Sequence, residues 1–142
     1  MRRLHAFSAA LFCGLLAGTA GAATLDQAEF RFEQRHYHFS YSAHLAADVD
    51  AVRRVMTDYD RLSRLNDDVI VSRVLARFGE RSVKRQVLMK HCVLVFCFDI
   101  DLVEQIDVQP DGEIVAVVVP GEGSFRSGRT TMRIEADPAG GT

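Results

Sequence analysis

The segment from residue 81 to residue 108 matches itself when it is folded back between Leu94 and Val95. In that register apolar residues face apolar residues, opposite charges face each other, and two cysteines coincide. The six pairs are Val83–Ile106, Arg85–Glu104, Val87–Leu102, Met89–Ile100, Lys90–Asp99 and Cys92–Cys97. Such cross-strand pairs stabilise an antiparallel ribbon, and a slip by one residue would turn every side chain to the wrong face. The sequence therefore predicts a long β-hairpin with an apolar tip at residues 93–96.

The first 22 residues have the parts of a secretory signal peptide. Arg2 and Arg3 form a basic start, residues 6–20 are apolar, and the Ala-Gly-Ala at residues 20–22 fits the usual cleavage pattern. The apolar stretch is short and rich in Ala and Gly for a membrane-spanning helix. We therefore expect cleavage after about Ala22, a single domain over residues 23–142, and a periplasmic or secreted location. A retained N-terminal anchor is the alternative.

Removal of the signal peptide changes the net charge of the chain, and export would place its two remaining cysteines in an oxidising compartment. Without the two N-terminal arginines, the 17 basic residues fall to 15 against 19 acidic ones, a net charge of −4. This balance argues against nucleic-acid binding, which favours a basic surface. Cys92 and Cys97 would lie about 16 Å apart in one continuous strand, so they can bond only if the chain turns between them. An oxidising compartment permits that disulfide, and two free buried thiols are the alternative.

The chain before the hairpin contains a strand and a helical region. Residues 36–45 alternate Tyr37, Phe39 and Tyr41 with polar residues, which predicts a half-buried strand. Asp48 offers an N-cap to a helix, and a short second helix is expected within residues 57–65. Residues 24–35 are ambiguous.

Further strands are predicted over residues 69–78, 114–119 and 125–135. A turn at residues 109–112 precedes the second of these strands, a loop at residues 120–124 precedes the third, and another turn with Pro and Gly follows at residues 137–141. The order predicts an α+β fold: an antiparallel curved sheet with a short helix pair after the first strand.

One face of the predicted hairpin is a broad apolar wall that contains a charged pair. The wall comprises Val83, Arg85, Val87, Met89, His91, Phe98, Ile100, Leu102, Glu104 and Ile106, and pairing through the turn at 109–112 adds Val115, Val117 and Val119. Such a wall is typical of a pocket for an apolar ligand, and equally of a core beneath helices. Both interpretations stay open at this point.

Four stretches carry a resemblance to a known family. They are residues 52–65 with Asp-Tyr-Asp-Arg-Leu at 58–62, Cys-Val-Leu-Val-Phe-Cys at 92–97, Ser-Phe-Arg-Ser-Gly at 124–128, and Asp-Pro-Ala-Gly-Gly-Thr at 137–142. Together with the layout they resemble the START-related helix-grip superfamily, in its polyketide cyclase/dehydrase and coenzyme-Q-binding-like branch. The similarity covers residues 39–142 and rests on soft patterns, so it concerns fold more than function.

The chain departs from this family in two ways. Met132 stands where the family often has a tryptophan. The family's last strand and long C-terminal helix have no counterpart in the sequence. We interpret the domain as an incomplete helix-grip fold in a truncated chain; completion of the cavity by another chain is the alternative.

The resemblance implies binding of a hydrophobic small molecule, a lipid or an isoprenoid quinone. Together with the expected signal peptide it predicts an exported binding protein, to which we assign no cofactor. The candidate ligand-binding residues are Tyr59, Arg85, Val87, Met89, His91, Phe98, Leu102, Glu104, Val117 and Phe125. A buried charge needs a partner. Arg85 and Glu104 therefore form a structural ion pair, or Arg85 holds a polar group of the ligand while Glu104 positions it.

Two other functions stay open. A cyclase/aromatase-like enzyme acting on a polyketide-type substrate would use Arg85, Glu104, His91 and Tyr59 as acid/base or orienting groups. An interaction module would touch a membrane transiently, or a protein partner, with residues 93–96. His36, His38 and His44 share the polar face of one predicted strand, where we expect solvated side chains and no metal.

Overall fold

The computed structural model describes residues 23–142, so the expected signal peptide lies outside the described residues. The fold is α+β, as predicted, but the strands form two antiparallel sheets where one was expected. The expected helix pair is a single α-helix followed by a three-residue 3-10 helix. In chain order the elements are β1 (Thr24–Glu33), β2 (His36–His44), α1 (Val49–Met56), a 3-10 helix (Leu62–Arg64), β3 (Val69–Arg77), β4 (Ser82–Val93), β5 (Phe96–Val108), β6 (Ile114–Val118) and β7 (Arg129–Met132). Strands β1 and β2 form one sheet and β3 to β7 form the other, in sequential order. Within residues 23–142 no helix has the length and apolar character needed to cross a membrane.

The hairpin β4–β5 has the predicted register. All six predicted pairs are present, and Val93 also pairs with Phe96, so the turn consists of Leu94 and Val95 alone. Leu94 has φ 57°, in the positive region that two-residue hairpin turns require at their first position. Cys92 and Cys97 form the predicted disulfide, with their Sγ atoms 2.10 Å apart.

Helix α1 covers one side of the five-stranded sheet at the end of the hairpin remote from the tip. Asp48 caps the helix, because its Oδ1 accepts a hydrogen bond of 2.8 Å from the Ala51 N–H. The helix contributes Val49, Val52 and Met56 to a core built on Tyr59, Val83, Ile106, Ile114, Ala116 and Ile134. We call this side of the sheet the inner face.

The predicted placement of Val115, Val117 and Val119 on the inner face is wrong. Ile106 pairs with Ala116 and Glu104 pairs with Val118, so alternate residues from Ile114 face inward. The prediction assumed a two-residue turn at Pro110-Asp111. The turn instead uses three residues between Gln109 and Glu113, with Gly112 at φ 87°. The extra residue shifts the register by one and reverses the face of every residue in β6.

Residues 24–35, ambiguous in the sequence, supply a strand that pairs with the predicted strand at residues 36–44. The turn residues Gln34 and Arg35 have φ 50° and 67°, both positive as in a type I′ turn. One side of this two-stranded ribbon, which we call the aromatic face, carries Leu25, Ala28, Phe30, Phe32, Tyr37, Phe39, Tyr41 and Ala43. The predicted half-burial is wrong, because the five rings are 58% to 74% exposed.

The turn at residues 137–141, predicted from its Pro and Gly content, holds the base of the ribbon. His44 Nδ1 lies 2.9 Å from Asp137 Oδ2. Leu45 and Thr142 exchange two backbone hydrogen bonds of 2.8 and 2.9 Å. Gly141, with φ 96°, passes so close to the Leu45 carbonyl that a side chain would not fit.

Strand β7 is shorter than the predicted strand at residues 125–135. The segment before β7, residues 119–124, lies alongside β5 instead. The Val119 N–H donates to the Val103 carbonyl at 2.9 Å, and the Ser124 N–H donates to the Asp101 carbonyl at 2.7 Å. Phe125 therefore lies in the connection between β6 and β7 and not in a strand.

Candidate functional site

The predicted ion pair between Arg85 and Glu104 lies on the inner face, one step nearer the tip than the core pair Val83–Ile106. Nε and Nη2 of Arg85 donate to Oε2 of Glu104 at 3.1 and 2.8 Å. Glu104 is only 4% exposed. A carboxylate this deeply buried depends on its partner, because an uncompensated buried charge is strongly unfavourable.

Tyr59 completes a three-residue cluster with this pair. The guanidinium carbon of Arg85 lies 5.3 Å from the centre of the Tyr59 ring, a cation–π distance. The Tyr59 hydroxyl is buried and has no hydrogen-bond partner within residues 23–142. Burial raises the pKa of the Tyr59 phenol above its usual value, while the charge of Arg85 lowers it and that of Glu104 raises it.

A buried hydroxyl without a partner costs about 1–3 kcal/mol. Tyr59 is therefore a donor and acceptor that the described chain leaves unused, directly beside a buried charged pair.

The residues on either side of Tyr59 hold it in place. The Tyr59 carbonyl accepts a hydrogen bond from Ser72 Oγ. Asp60 Oδ1 accepts one of 2.8 Å from the Val74 N–H, and Asp58 Oδ2 lies 2.9 Å from Arg64 Nη2. The segment is thereby attached to β3, and the aromatic ring is presented to Arg85. Neither aspartate was among the predicted site residues, although their alternation with Tyr59 is visible in the sequence.

An apolar strip extends from this cluster towards the tip of the hairpin. On the inner face it consists of Val87, Met89, Phe96, Phe98, Ile100 and Leu102. Exposure rises along the strip, from a buried Val87 to Phe98 at 54%. Along β5, Glu104 of the cluster and Phe96 at the far end of the strip are about 27 Å apart at the usual strand rise. The side-chain contacts of α1 lie at the opposite end, so the strip is open near the tip.

The structure separates the other candidate residues from the cluster. His91 is six residues beyond Arg85 on β4, about 20 Å along the strand, and its Nδ1 lies 2.8 Å from Asp68 Oδ2. An enzymatic role for His91 with Arg85, Glu104 and Tyr59 needs all four around one substrate, and this separation places His91 apart from the others. Asp68, the partner of His91, was not among the predicted site residues.

Two candidate residues do not lie on the strip. Val117 pairs with Gln105 and Arg129 on the outer face, for the reason of register given above. Phe125 is partly exposed in the connection between β6 and β7. The outer face combines polar contacts, such as Gln86 Nε2 donating to Asp101 at 2.9 Å, with buried apolar side chains such as Val103.

Two hollows in the described part of the chain lie away from the strip. One, of about 170 Å³, is lined by Arg53, Glu113 and Arg133 among others. The other, of about 250 Å³, lies between the ribbon and Arg129. The strip is thus an open surface and not part of either hollow. Within residues 23–142 no group of three or more His, Cys, Asp or Glu side chains is arranged to hold a metal ion.

Comparison with protein-family models, with curated proteins and with solved structures found no match to this chain. Membership of the START-related superfamily and the helix-grip fold therefore stay predictions.

Proposed function

We propose that this chain is an exported binding protein for a hydrophobic small molecule with a polar head, a lipid or an isoprenoid quinone. The observation that carries the proposal is the buried, unpartnered hydroxyl of Tyr59 at the inner end of the apolar strip. A ligand that lay along the strip would place its tail on apolar side chains and its head beside Tyr59 and Arg85.

The tail supplies most of the affinity in this proposal. Burial of roughly 300 Å² of apolar surface on the strip contributes about 7 kcal/mol before the costs of association. The head supplies orientation: once the side chains over the buried Tyr59 hydroxyl move aside, a carbonyl or carboxylate oxygen can accept from this hydroxyl and from the Arg85 guanidinium. A purely aliphatic ligand would leave the hydroxyl unpaired, so the proposal favours quinones, esters and fatty acids over hydrocarbons.

Equilibrium binding to a short-chain ubiquinone and to a fluorescent fatty acid tests the role of the head. Tyr59→Phe should weaken binding of at least one of the two about 10-fold, the value of one hydrogen bond. Tyr41→Phe is the matched control, because Tyr41 lies on the ribbon and is exposed, and it should bind as the wild type does. Binding that does not change in Tyr59→Phe, or absence of binding by the wild type, would contradict the proposal.

The tip of the β4–β5 hairpin supports a second candidate function, transient membrane contact. Leu94 is 93% exposed, and Val95 and Phe96 beside it are also exposed. The disulfide at the neck keeps these apolar residues together in a compact tip.

Flotation with zwitterionic phospholipid vesicles tests this candidate. We expect the wild type to float with the vesicles and Leu94→Ser/Phe96→Ser to lose most of that association. Phe78→Ser is the control, since Phe78 is another exposed aromatic residue, 57% exposed, at the opposite end of the hairpin. If the control loses as much association as the tip variant, the contact is not specific to the tip.

A further inference from the structure

The aromatic face of the β1–β2 ribbon is an exposed apolar surface that the function proposed above does not use. Its rings contact one another: the ring centres lie 5.8 Å apart in Phe30–Tyr37, 4.7 Å in Phe32–Tyr37 and 5.5 Å in Phe39–Tyr41. None of its eight side chains is charged. Arg129 of β7 lies near Tyr37 and Phe39, but the five rings remain 58% to 74% exposed, so no element of residues 23–142 covers the face.

A surface of this kind needs a cover. Five rings of about 200 Å² each, about two thirds exposed, present roughly 650 Å² of apolar surface. Patches on monomeric proteins are usually smaller, about 300–600 Å² at most. A two-stranded ribbon in water is also only marginally stable by itself. The ribbon is held at its base, near His44 and Leu45, and the aromatic face beyond that base is uncovered.

We propose that the aromatic face is the interface of a homodimer, in which two copies of this chain pack their ribbons face to face. Two such faces would bury about 1,300 Å² in total, within the 1,200–2,000 Å² of specific protein interfaces. Packed sheets lie about 10 Å apart and interdigitate their side chains. A face without charge does not repel its own copy, and a twofold arrangement closes after two chains.

The opposite side of the ribbon would stay in water in this dimer. It carries ion pairs of Arg31 with Glu29 at 3.1 Å and with Glu33 at 3.7 Å, which lose little by remaining solvated. The dimer therefore separates an apolar side from a charged side, as expected for an amphipathic ribbon.

The charges of the ribbon favour a protein occupant over a lipid surface. Arg31 and Arg35 are outnumbered by Asp26, Glu29 and Glu33. Peripheral binding to anionic membranes usually relies on an excess of basic residues. The mixture of Phe and Tyr is instead typical of the centre of a protein interface.

Sedimentation equilibrium of the exported chain, over a wide range of protein concentrations, tests the dimer. We expect a species of twice the chain mass that dissociates on dilution. Tyrosine fluorescence provides an independent signal, because the chain has three tyrosines and no tryptophan. Tyr37 and Tyr41 lie on the aromatic face and Tyr59 is buried, so quenching by acrylamide should increase as the dimer dissociates.

Two substituted chains locate the interface. Phe30→Ser/Phe39→Ser removes one opposed pair from the aromatic face and should weaken the dimer at least about 100-fold. Arg31→Ser/His38→Ser changes the next pair of the ladder, which faces the other way, and should dimerise as the wild type does. Ala28→Lys keeps every ring and adds a charge to the face, so it should also dissociate the dimer without removing ribbon contacts.

Three results would overturn the proposal. The first is a monomer at every concentration with tyrosines that are open to acrylamide. The second is a monomer whose tyrosines are protected, which would assign the cover to the same polypeptide. The third is a monomer that binds phospholipid vesicles through Phe30 and Phe39, which would assign the face to lipid.

Discussion

The two long hairpins of this chain share a plan but have different surroundings. Each strand of β1–β2 and β4–β5 has at least nine residues, each turn has two, and each ribbon has one apolar side. In β4–β5 that side lies under α1 at its base, where Ile106 is 1% exposed. In β1–β2 the central Phe39 is 65% exposed. The comparison shows that alternation specifies a ribbon with two unlike sides, while burial depends on what the rest of the assembly places on the apolar side.

The ion pairs of the two hairpins should differ in how much they contribute to stability, because one is buried and the other is exposed. Arg85→Ala should reduce the free energy of unfolding by about 3–5 kcal/mol, because it leaves Glu104 buried without a partner. Arg31→Ala in the ribbon should cost less than about 1 kcal/mol, since Glu29 and Glu33 are exposed. Urea unfolding of the two variants measures the difference.

A double variant distinguishes stability from function at the buried pair. Arg85→Met/Glu104→Leu should lie within about 1 kcal/mol of the wild type in stability, because no unpaired charge remains. It should nevertheless lose orientation of the polar head. Equal destabilisation by Arg85→Ala and Arg31→Ala would show that the pair is not buried as described.

The turn of β4–β5 is closed by a disulfide, whereas the turn of β1–β2 has no cross-link. Cys92→Ser/Cys97→Ser should reduce stability by about 2 kcal/mol, the value for a short closed loop. Hydrogen exchange should become faster at residues 92–97 and remain unchanged at Gln34 and Arg35, which close a ribbon with no cross-link. The intact mass without reductant should be lower by two hydrogens than that of the reduced chain; equal masses would contradict the bond.

Tyr59→Phe should change the free energy of unfolding in the opposite direction to the substitutions above, and by less. Removal of the unpartnered hydroxyl should raise the free energy of unfolding by about 1 kcal/mol, whereas Tyr41→Phe on the exposed ribbon should change it little. Thermal unfolding of both variants checks the difference. Destabilisation by Tyr59→Phe would indicate that the hydroxyl already has a partner.

The smallest expected effect is a change in stability at alkaline pH. Burial raises the pKa of Tyr59 in the folded chain above the value of 10.0 for a free phenol. Above pH 10 the folded state then retains a proton that the unfolded state releases. The contribution of the protonated Tyr59 to folding stability is therefore complete below about pH 10 and is lost as pH rises through the folded pKa. Stability should therefore fall more steeply above pH 10 in the wild type than in Tyr59→Phe, and equal slopes would contradict the raised pKa.

The sequence predicted the register of β4–β5 because charged, apolar and cysteine pairs all agree in one alignment. The register of β6 was not predictable in the same way. Its five residues are all apolar, so either alternate set of them could face the core. The position of Tyr59 depends on a hydrogen bond from Ser72 to its own carbonyl and on one from Val74 to the neighbouring Asp60. Contacts of that range leave no periodic signal in the sequence.

The most direct test of the proposed function is the small molecule carried by the protein when it is purified from cells that export it. Mass spectrometry of extracts should find an apolar molecule with an oxygen-bearing head bound to the wild type and to Phe30→Ser/Phe39→Ser. The same molecule should be recovered in clearly lower amount from Arg85→Met/Glu104→Leu, in which the strip and Tyr59 are intact and the charged pair is removed. A ligand retained at the wild-type level by that double variant, or found in none of the three proteins, would contradict the assignment of the site to the cluster of Tyr59, Arg85 and Glu104.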